Sequence, residues 1–386
     1  MIHLLINALA ASAGGGLTYI RNVVPHLAKK KEMRATVLLD ARLARELQAA
    51  PNIALLARTS SSNTAVRFCA EQWIVPDHVR QSKADILLST GNFALLNSPV
   101  PQILLSRNAL YTSRDFYSDL RSRDDYRLWL DTQVKGALAR ASIRIADRVV
   151  APSEAFAEEL RRWTGCPVMA IHHGFDRNAF VAEKSPLSPE LQEKLDSARD
   201  ALRLLFVSHY NYYRNFETLI RAVPWIQQRI GSRRVVLFLT CRLAEGANPG
   251  AYRADSAAAL VRELGISDNI VEFGAVPYGR LHHVYQAAHI YVSPAYAESF
   301  AHPLVEAMSS AVPVVASDLP VHREICGAAA LYFDRFSPRG LAERVAEIAS
   351  SPQLAERLSK AGVERASVFS WKKHVDEIVA LAEGLV

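Results

Sequence analysis

Residues 289–317 read HIYVSPAYAESFAHPLVEAMSSAVPVVAS, and apart from two acids, Glu298 and Glu306, they contain no Asp, Lys or Arg. Two short apolar runs, HIYVS and PVVAS, bracket a loop and a helix-like run. Short runs of Val and Ile without polar alternation suit strands buried on both faces of a parallel sheet. Pro303 suits the first helical turn, where its missing N–H would have no partner anyway. The stretch therefore reads as strand, loop, helix, strand, the unit of α/β folds. A helix that starts at the C-terminal end of a strand points unpaired N–H groups outward, which is an anion site. An acid beside such a site calls for a different ligand group. The vicinal hydroxyls of a ribose suit Glu306, and a second polyol, such as a sugar, suits Glu298.

The same alternation runs outward through the chain. IHLLIN, ATVLLD, ADILLST, PQILLS, DRVVAPS and VMAIHHG mark strands of a first half, and LRLLFVS, RVVLFLT, NIVEFGA, HIYVSPA and PVVAS of a second. Amphipathic stretches such as AFAEELRRWTG and NFETLIRAVPWIQQRI lie between them. The polar, Pro-containing segment NAFVAEKSPLSPELQEKLDSARD, residues 178–200, is the expected break. The expectation is an α/β chain of two Rossmann-like domains, 1–182 and 183–368, facing each other across a cleft. A last amphipathic helix, 369–386, returns to the first domain. In such domains ligands sit at the C-terminal ends of the strands.

Composition limits the function classes. At 386 residues the chain is long for a single core. Half of its residues are hydrophobic and 22 % charged, a globular balance. The formal net charge of +6 suits an anionic ligand or membrane surface without singling out nucleic acid. Four scattered cysteines form no CxxC pair, so neither a disulfide framework nor a zinc site is expected, and a reducing, cytoplasmic setting fits. The opening MIHLLINALAASAGGG lacks a basic n-region and reads as a first strand rather than a signal peptide. No apolar run reaches the ~18 residues of a spanning helix.

Within ESFAHPLVEAMSSAVPVVAS, the spacing of Glu298 and Glu306 resembles the signature of the retaining glycosyltransferases of family 4, which have the GT-B fold. Other segments agree in order: GGGLTYIRNVVPHLA, ADRVVAPSEAFAEEL, AIHHGFD, LLFVSHYNYYRNFETLIRA, VEFGAVPYGRLHHVYQAAHIYVSPA and the final FSW. The resemblance implies that Glu306 binds the nucleotide ribose and Glu298 the donor sugar. Backbone amides at Phe300, Ala301 and His302 would hold sugar and phosphate. Leu304 and, in the base-binding stretch, Val276 are further donor contacts. A basic pair should neutralise the diphosphate: Arg214 matches its second member, and His209 is the nearest candidate for the first. Gly15 and Gly16, in the glycine turn after the first strand, are expected beside the donor. Where many relatives place a His near the reacting sugar, this chain has Arg107 and Asn108, and Asn108 can bond a sugar hydroxyl but not act as a base. The family usually has Gly where Ala301 and Ala311 stand, and Ala is strained if φ is positive there.

These residues point to transfer of a hexose from a nucleotide diphosphate sugar to an acceptor hydroxyl. Glu298, Arg214 and Asn108 are the catalytic candidates. The resemblance implies a bacterial surface glycan or lipid-linked glycan as acceptor, with peripheral contact at the inner membrane. No metal-ligand motif is visible and GT-B enzymes use basic groups and helix dipoles on the diphosphate, so no metal is expected. The Arg-rich segment 107–148 faces an acidic acceptor, anionic headgroups or, given its interspersed Asp, plain solvent. A sugar-nucleotide epimerase of the same architecture and a non-catalytic sugar-nucleotide binder stay open as alternatives. So do the base (UDP, GDP or dTDP) and the sugar. A phosphorylase would need a pyridoxal lysine motif, and none is evident.

Overall fold

A computed structural model of the chain describes residues 1–11, 14–61, 63–248, 250 and 252–386. Their contacts divide them into two units: residues 1–112, 129–174 and 370–386, and residues 113–128 and 175–369. The crossing at 174 precedes the expected boundary at 182. The expected linker is part of the second unit and holds a helix, Pro189–Asp196, capped by Ser188. The excursion of residues 113–128 into the second unit was not anticipated.

The first unit carries strands β1 (Ile2–Ala8), β2 (Met33–Asp40), β3 (Ile53–Arg58), β4 (Ile86–Ser89), β5 (Gln102–Leu105), β6 (Arg148–Ala151) and β7 (Met169–Ala170). They form one parallel sheet in the order β3-β2-β1-β4-β5-β6-β7. β1 shows why its run is mostly apolar. Leu4, Ile6 and Ala8 pack with Tyr19, Ile20 and Val23 on one face, while Leu5 packs with Val75 and Val79 on the other. The first of these faces is covered by the helices Gly14–Leu27 and Trp371–Glu383, the second by the helix Thr64–Ser82. The C-terminal helix thus belongs to the first unit. His374 anchors it: its Nδ1 donates to His172 O at 2.9 Å, and its Nε2 accepts from the Tyr19 hydroxyl at 3.0 Å. Gly174 permits the approach, because a Cβ there would lie 2.0 Å from Trp371 N.

The second unit carries β8 (Leu202–Phe206), β9 (Val235–Leu239), β10 (Ile270–Glu272), β11 (Ile290–Ser293), β12 (Val314–Ser317) and β13 (Ala330–Phe333). Its sheet is also parallel, in the order β10-β9-β8-β11-β12-β13. Strand order reverses beside β8, whose neighbours are β9 and β11. The loops after β8 and β11 therefore flank the switch point at the strand ends, the crevice where α/β sheets bind ligands. The helix Arg114–Ser122, from the excursion, docks on this unit through three ion pairs or hydrogen bonds. Arg335 Nε donates to Asp115 at 2.7 Å, the Tyr296 hydroxyl donates to Asp119 at 2.6 Å, and Arg123 pairs with Glu217 at 3.0 Å.

Candidate functional site

The loop after β8, residues 207–215, and the loop after β11, residues 294–301, form the rim of the crevice in the second unit. Backbone needs join them. Asn215 takes the left-handed conformation (φ 57°), which Asn tolerates, and its Nδ2 donates to Pro294 O at 3.0 Å and Arg335 O at 2.6 Å. Tyr296 N donates to Tyr213 O at 3.0 Å. Joined in this way, the loops bring Arg214 onto Glu298, and Arg214 Nη1 donates to Glu298 Oε2.

The pair sits largely out of water, with side chains 20 % and 11 % exposed. Burial alone would raise the Glu298 pKa, but the Arg214 charge, with help from His322 and the Ser299 amide, brings it below the ordinary carboxylate value. Burial opposes the charge on Arg214 as well, yet Glu298 holds its pKa above the ordinary guanidinium value. Both groups are therefore ionised at neutral pH. The sequence suggested separate partners for the two residues; the fold pairs them.

His209 lies on the same rim, exposed overall with its ring partly desolvated. Burial and then the Arg214 charge lower its pKa, which leaves the imidazole neutral at pH 7. Arg214 is thus the permanently charged member of this loop, and His209 stays the nearest candidate for the other member of the pair.

The helix that follows β11 and its loop runs from His302 to Ser309. Ala301 caps it at φ 65°, ψ 62°, and Ala311 closes it at φ 57°. Ala311 N donates to Met308 O and Val312 N to Ala307 O, both at 3.0 Å, which is the helix ending that normally requires Gly. Both alanines therefore keep a glycine-like backbone, with the strain that a Cβ adds there. Phe300, Ala301 and Leu304 are buried and His302 half-buried. Phe300 meets the His302 ring at 4.8 Å and the Phe369 ring at 5.4 Å.

Glu306 faces a ring of tyrosines. The Tyr285 hydroxyl donates to its Oε2 at 2.9 Å, and Tyr278 bonds the same carboxyl. Burial outweighs these two bonds and pushes the Glu306 pKa up to about 7. The Tyr278 side chain belongs to the 3-10 turn Tyr278–Arg280, which follows the half-buried Val276 in the segment after β10. His282 and His283 lie just beyond, their ring centroids 3.9 Å apart and their planes tilted by 37°.

Gly15, Gly16 and Asn108 belong to the first unit. The glycines are not a turn before the helix, as expected; they are its first residues, since it begins at Gly14 with φ 55°. Arg107 fixes this turn, donating from Nη1 to Gly15 O at 3.0 Å and from Nη2 to Thr90 O at 2.7 Å. Asn108 caps the 3-10 turn Ala109–Tyr111, its Oδ1 accepting from Leu110 N at 3.1 Å, so that oxygen already has a structural task.

Three residues of the second unit's site escaped the sequence reading: Tyr278, Tyr285 and His322. His322 follows β12, and the rule that ligands gather at strand ends would have drawn attention to it. Among the described residues, no group of three or more His, Cys, Asp or Glu is placed to hold a metal ion.

Two family models match the chain: Glycosyltransferase Family 4 over residues 13–179, and Glycosyl transferases group 1 over residues 188–365. The D-inositol 3-phosphate glycosyltransferase of Thermobifida fusca is 28 % identical over 247 residues, which cover 62 % of this chain and 56 % of that protein. The chain thus spans little more than half the length of the curated relatives it matches. The sucrose-phosphate synthase of Thermosynechococcus elongatus superposes with a TM-score of 0.78 at 18 % identity, covering 100 % of this chain and 99 % of its own. Anabaena HepE, solved in complex with UDP-glucose, gives a TM-score of 0.73 at 17 % identity and full coverage of both chains. With a matching model on each half and this fold along its full length, the chain belongs to the glycosyltransferases of family 4 and has the GT-B architecture of two α/β units.

Proposed function

We propose that the protein transfers a hexose, with retention of configuration, from a nucleotide diphosphate sugar to an acceptor hydroxyl. The observation that carries this reading is the second unit's crevice, where a buried carboxyl, Glu306 on the helix His302–Ser309, and the Arg214–Glu298 ion pair stand at the strand-order reversal. Glu306 would hold the ribose diol, Arg214 the diphosphate, and Glu298 the sugar. The amides of Phe300, Ala301 and His302 would hold sugar and phosphate, with Val276 and Leu304 as further donor contacts. His209 keeps a place in this reading as a neutral hydrogen-bonding group. The first unit's Gly15, Gly16 and Asn108 keep their expected roles. Support for a nucleotide sugar comes from HepE, whose structure holds UDP-glucose.

The bond from the anomeric carbon to the phosphate oxygen breaks as the acceptor oxygen attacks from the same face. The acceptor proton passes to the departing phosphate oxygen. Negative charge grows on the diphosphate during this step, so Arg214 is worth most in the transition state. Metal independence is part of the proposal, because Arg214 and the N-terminus of the helix His302–Ser309 can offset that charge.

The acceptor proposed is a surface glycan or a lipid-linked glycan. The helix Tyr126–Ile145 exposes Tyr126, Leu130 and Val134 in one row at four-residue spacing, which supports peripheral contact with a membrane. No helix among the described residues is long and apolar enough to cross one. The relatives' name adds a phosphorylated polyol to the acceptors worth testing.

The test incubates UDP-, GDP- and dTDP-hexoses with the protein, with and without lipid-linked glycan or inositol phosphate. Diphosphate release is followed, and the product anomer is read by NMR. A product with the donor's anomeric configuration is expected. Inversion would refute the retaining mechanism, epimerised donor would favour the epimerase, and binding without turnover would favour the non-catalytic binder.

A further inference from the structure

The second unit holds a cluster of basic side chains at the end of its sheet away from the crevice. Arg203 is the second residue of β8, His289 immediately precedes β11, and Arg233 lies two residues before β9. β9, β8 and β11 are neighbours in one parallel sheet, so the three residues meet at the N-terminal ends of the strands, whereas the loops of the crevice leave the C-terminal ends. Main-chain bonds fix the imidazole there. Arg203 N donates to His289 Nδ1 at 3.0 Å, and His289 N donates to Arg203 O at 2.9 Å. Arg203 Nη2 and Arg233 Nη2 lie 3.3 Å and 3.4 Å from His289 Nε2.

A main-chain N–H only donates, so His289 Nδ1 is the acceptor and Nε2 carries the proton of the neutral ring. A guanidinium has no acceptor either. Three N–H groups therefore converge, and none can bond another. The rest of each arginine is anchored: Arg203 Nη1 donates to Arg199 O at 3.0 Å, and Arg233 Nη2 spends one of its two hydrogens on Ala201 O at 3.1 Å. Nε of Arg203 is buried without a partner. The charges that act on His289 are those of Arg203 and Arg233, and with burial they lower its pKa to about 4. Among the described residues, no carboxylate pairs with any of the three, and the nearby Asp196 is taken by Arg199 at 2.9 Å. Buried donors without an acceptor are unfavourable and invite a ligand group.

We propose that Arg203, Arg233 and His289 form a site for a phosphate dianion, free or as the monoester of a soluble small molecule. A phosphate oxygen set against the three N–H groups accepts from them, and the two guanidinium charges match a double negative charge. A water molecule accepts only two hydrogen bonds and brings no charge. Arg233 is exposed and so is its contact with His289, so the anion arrives from solvent without moving the cluster. Among the described residues, no large hydrophobic side chain is exposed in segments 199–203, 232–234 or 287–289, so nothing there enters a bilayer, and a soluble phosphate fits better than a lipid headgroup.

The experiment titrates inorganic phosphate into the full chain by calorimetry at constant ionic strength, with acetate as the monoanion control. Saturable phosphate binding, tighter than that of acetate, is expected. Arg233→Gln and Arg203→Gln should each weaken it roughly tenfold or more, the loss of one charge-assisted hydrogen bond. Arg214→Ala, which removes the cation of the crevice, should leave a site of unchanged affinity. Should Arg203→Gln fail to fold, Arg233→Gln, at an exposed position, decides alone. Binding unchanged in Arg233→Gln would overturn the site, and its loss in Arg214→Ala would place the anion in the crevice instead. No saturable phosphate binding, or acetate bound as tightly, would also overturn it. Phosphatidylcholine vesicles with and without phosphatidylglycerol form the last arm. Attachment to the anionic vesicles that Arg233→Gln abolishes, without binding of inorganic phosphate, would assign the cluster to a lipid surface and overturn the soluble ligand.

Discussion

Glu306→Gln should make the protein more stable and bind nucleotide worse. The carboxyl is 5 % exposed, and burial holds its pKa at about 7 against an ordinary 4.5. Between these values the folded state binds more protons than the unfolded chain, so stability falls as pH rises through that window. A difference of about 2.5 pK units, at ~1.4 kcal/mol each, is about 3 kcal/mol lost by pH 8. Gln is neutral throughout, and its carbonyl can still accept from a tyrosine hydroxyl. The variant should therefore match the wild type near pH 5 and exceed it at pH 8, by about 1–3 kcal/mol once a weakened tyrosine bond is allowed for. Urea unfolding at pH 5, 6, 7 and 8 measures this, with unchanged m-values as the control. Nucleotide diphosphate titrations on the same samples should show the reverse. Wild-type affinity should rise with pH as Glu306 ionises, and the variant should bind roughly 10–150-fold more weakly at pH 8. Wild-type stability that is flat from pH 5 to 8, or a variant less stable at pH 8, would refute the burial argument. Equal nucleotide affinities would remove Glu306 from the ribose site.

Arg214→Ala should lower kcat by about 10²–10³-fold. Because Arg214 bonds Glu298, its effect and that of Glu298→Gln should combine to less than their product, and additive effects would mean that the two act apart. Ala311→Gly should stabilise the protein by about 0.5–1 kcal/mol, the left-handed strain relieved less the entropy that Gly adds to the unfolded chain. Ala301→Gly should do the same with donor KM unchanged, whereas a shifted KM would show that the methyl group shapes the site. Gly174→Ala should cost more than the ~1–3 kcal/mol of ordinary overpacking, because its Cβ would meet backbone at 2.0 Å; a wild-type melting temperature would contradict that packing. Activity should survive chelator, and loss restored by magnesium or manganese would establish a metal requirement.

Local patterns in the sequence carried much of the fold. A strand buried on both faces is mostly apolar, so the central strands β1, β4, β8 and β11 stand out as short runs dominated by Val, Ile, Leu and aromatic residues. Their alternation with helices, and two acids in an otherwise uncharged stretch, needed no coordinates to notice. Edge strands were less visible: β3 and β13 were not among the runs singled out, since each is partly exposed and its apolar run is short or mixed. The excursion of residues 113–128 was not legible either. Its attachment depends on Asp115, Asp119 and Arg123 meeting residues about one hundred to two hundred positions away, and no local pattern encodes such pairs.

The site divides in the same way. Strand-end position and residue type drew attention to Arg214, Glu298 and Glu306 one at a time. Only the tertiary structure decided that the first two neutralise each other, that tyrosines from two other elements close over the third, and that Arg214 and partial desolvation lower the His209 pKa. It also decided that Ala301 and Ala311 adopt the backbone of glycine. A charge acquires its pKa, and a backbone its tolerated strain, from neighbours that the chain brings together only when it folds.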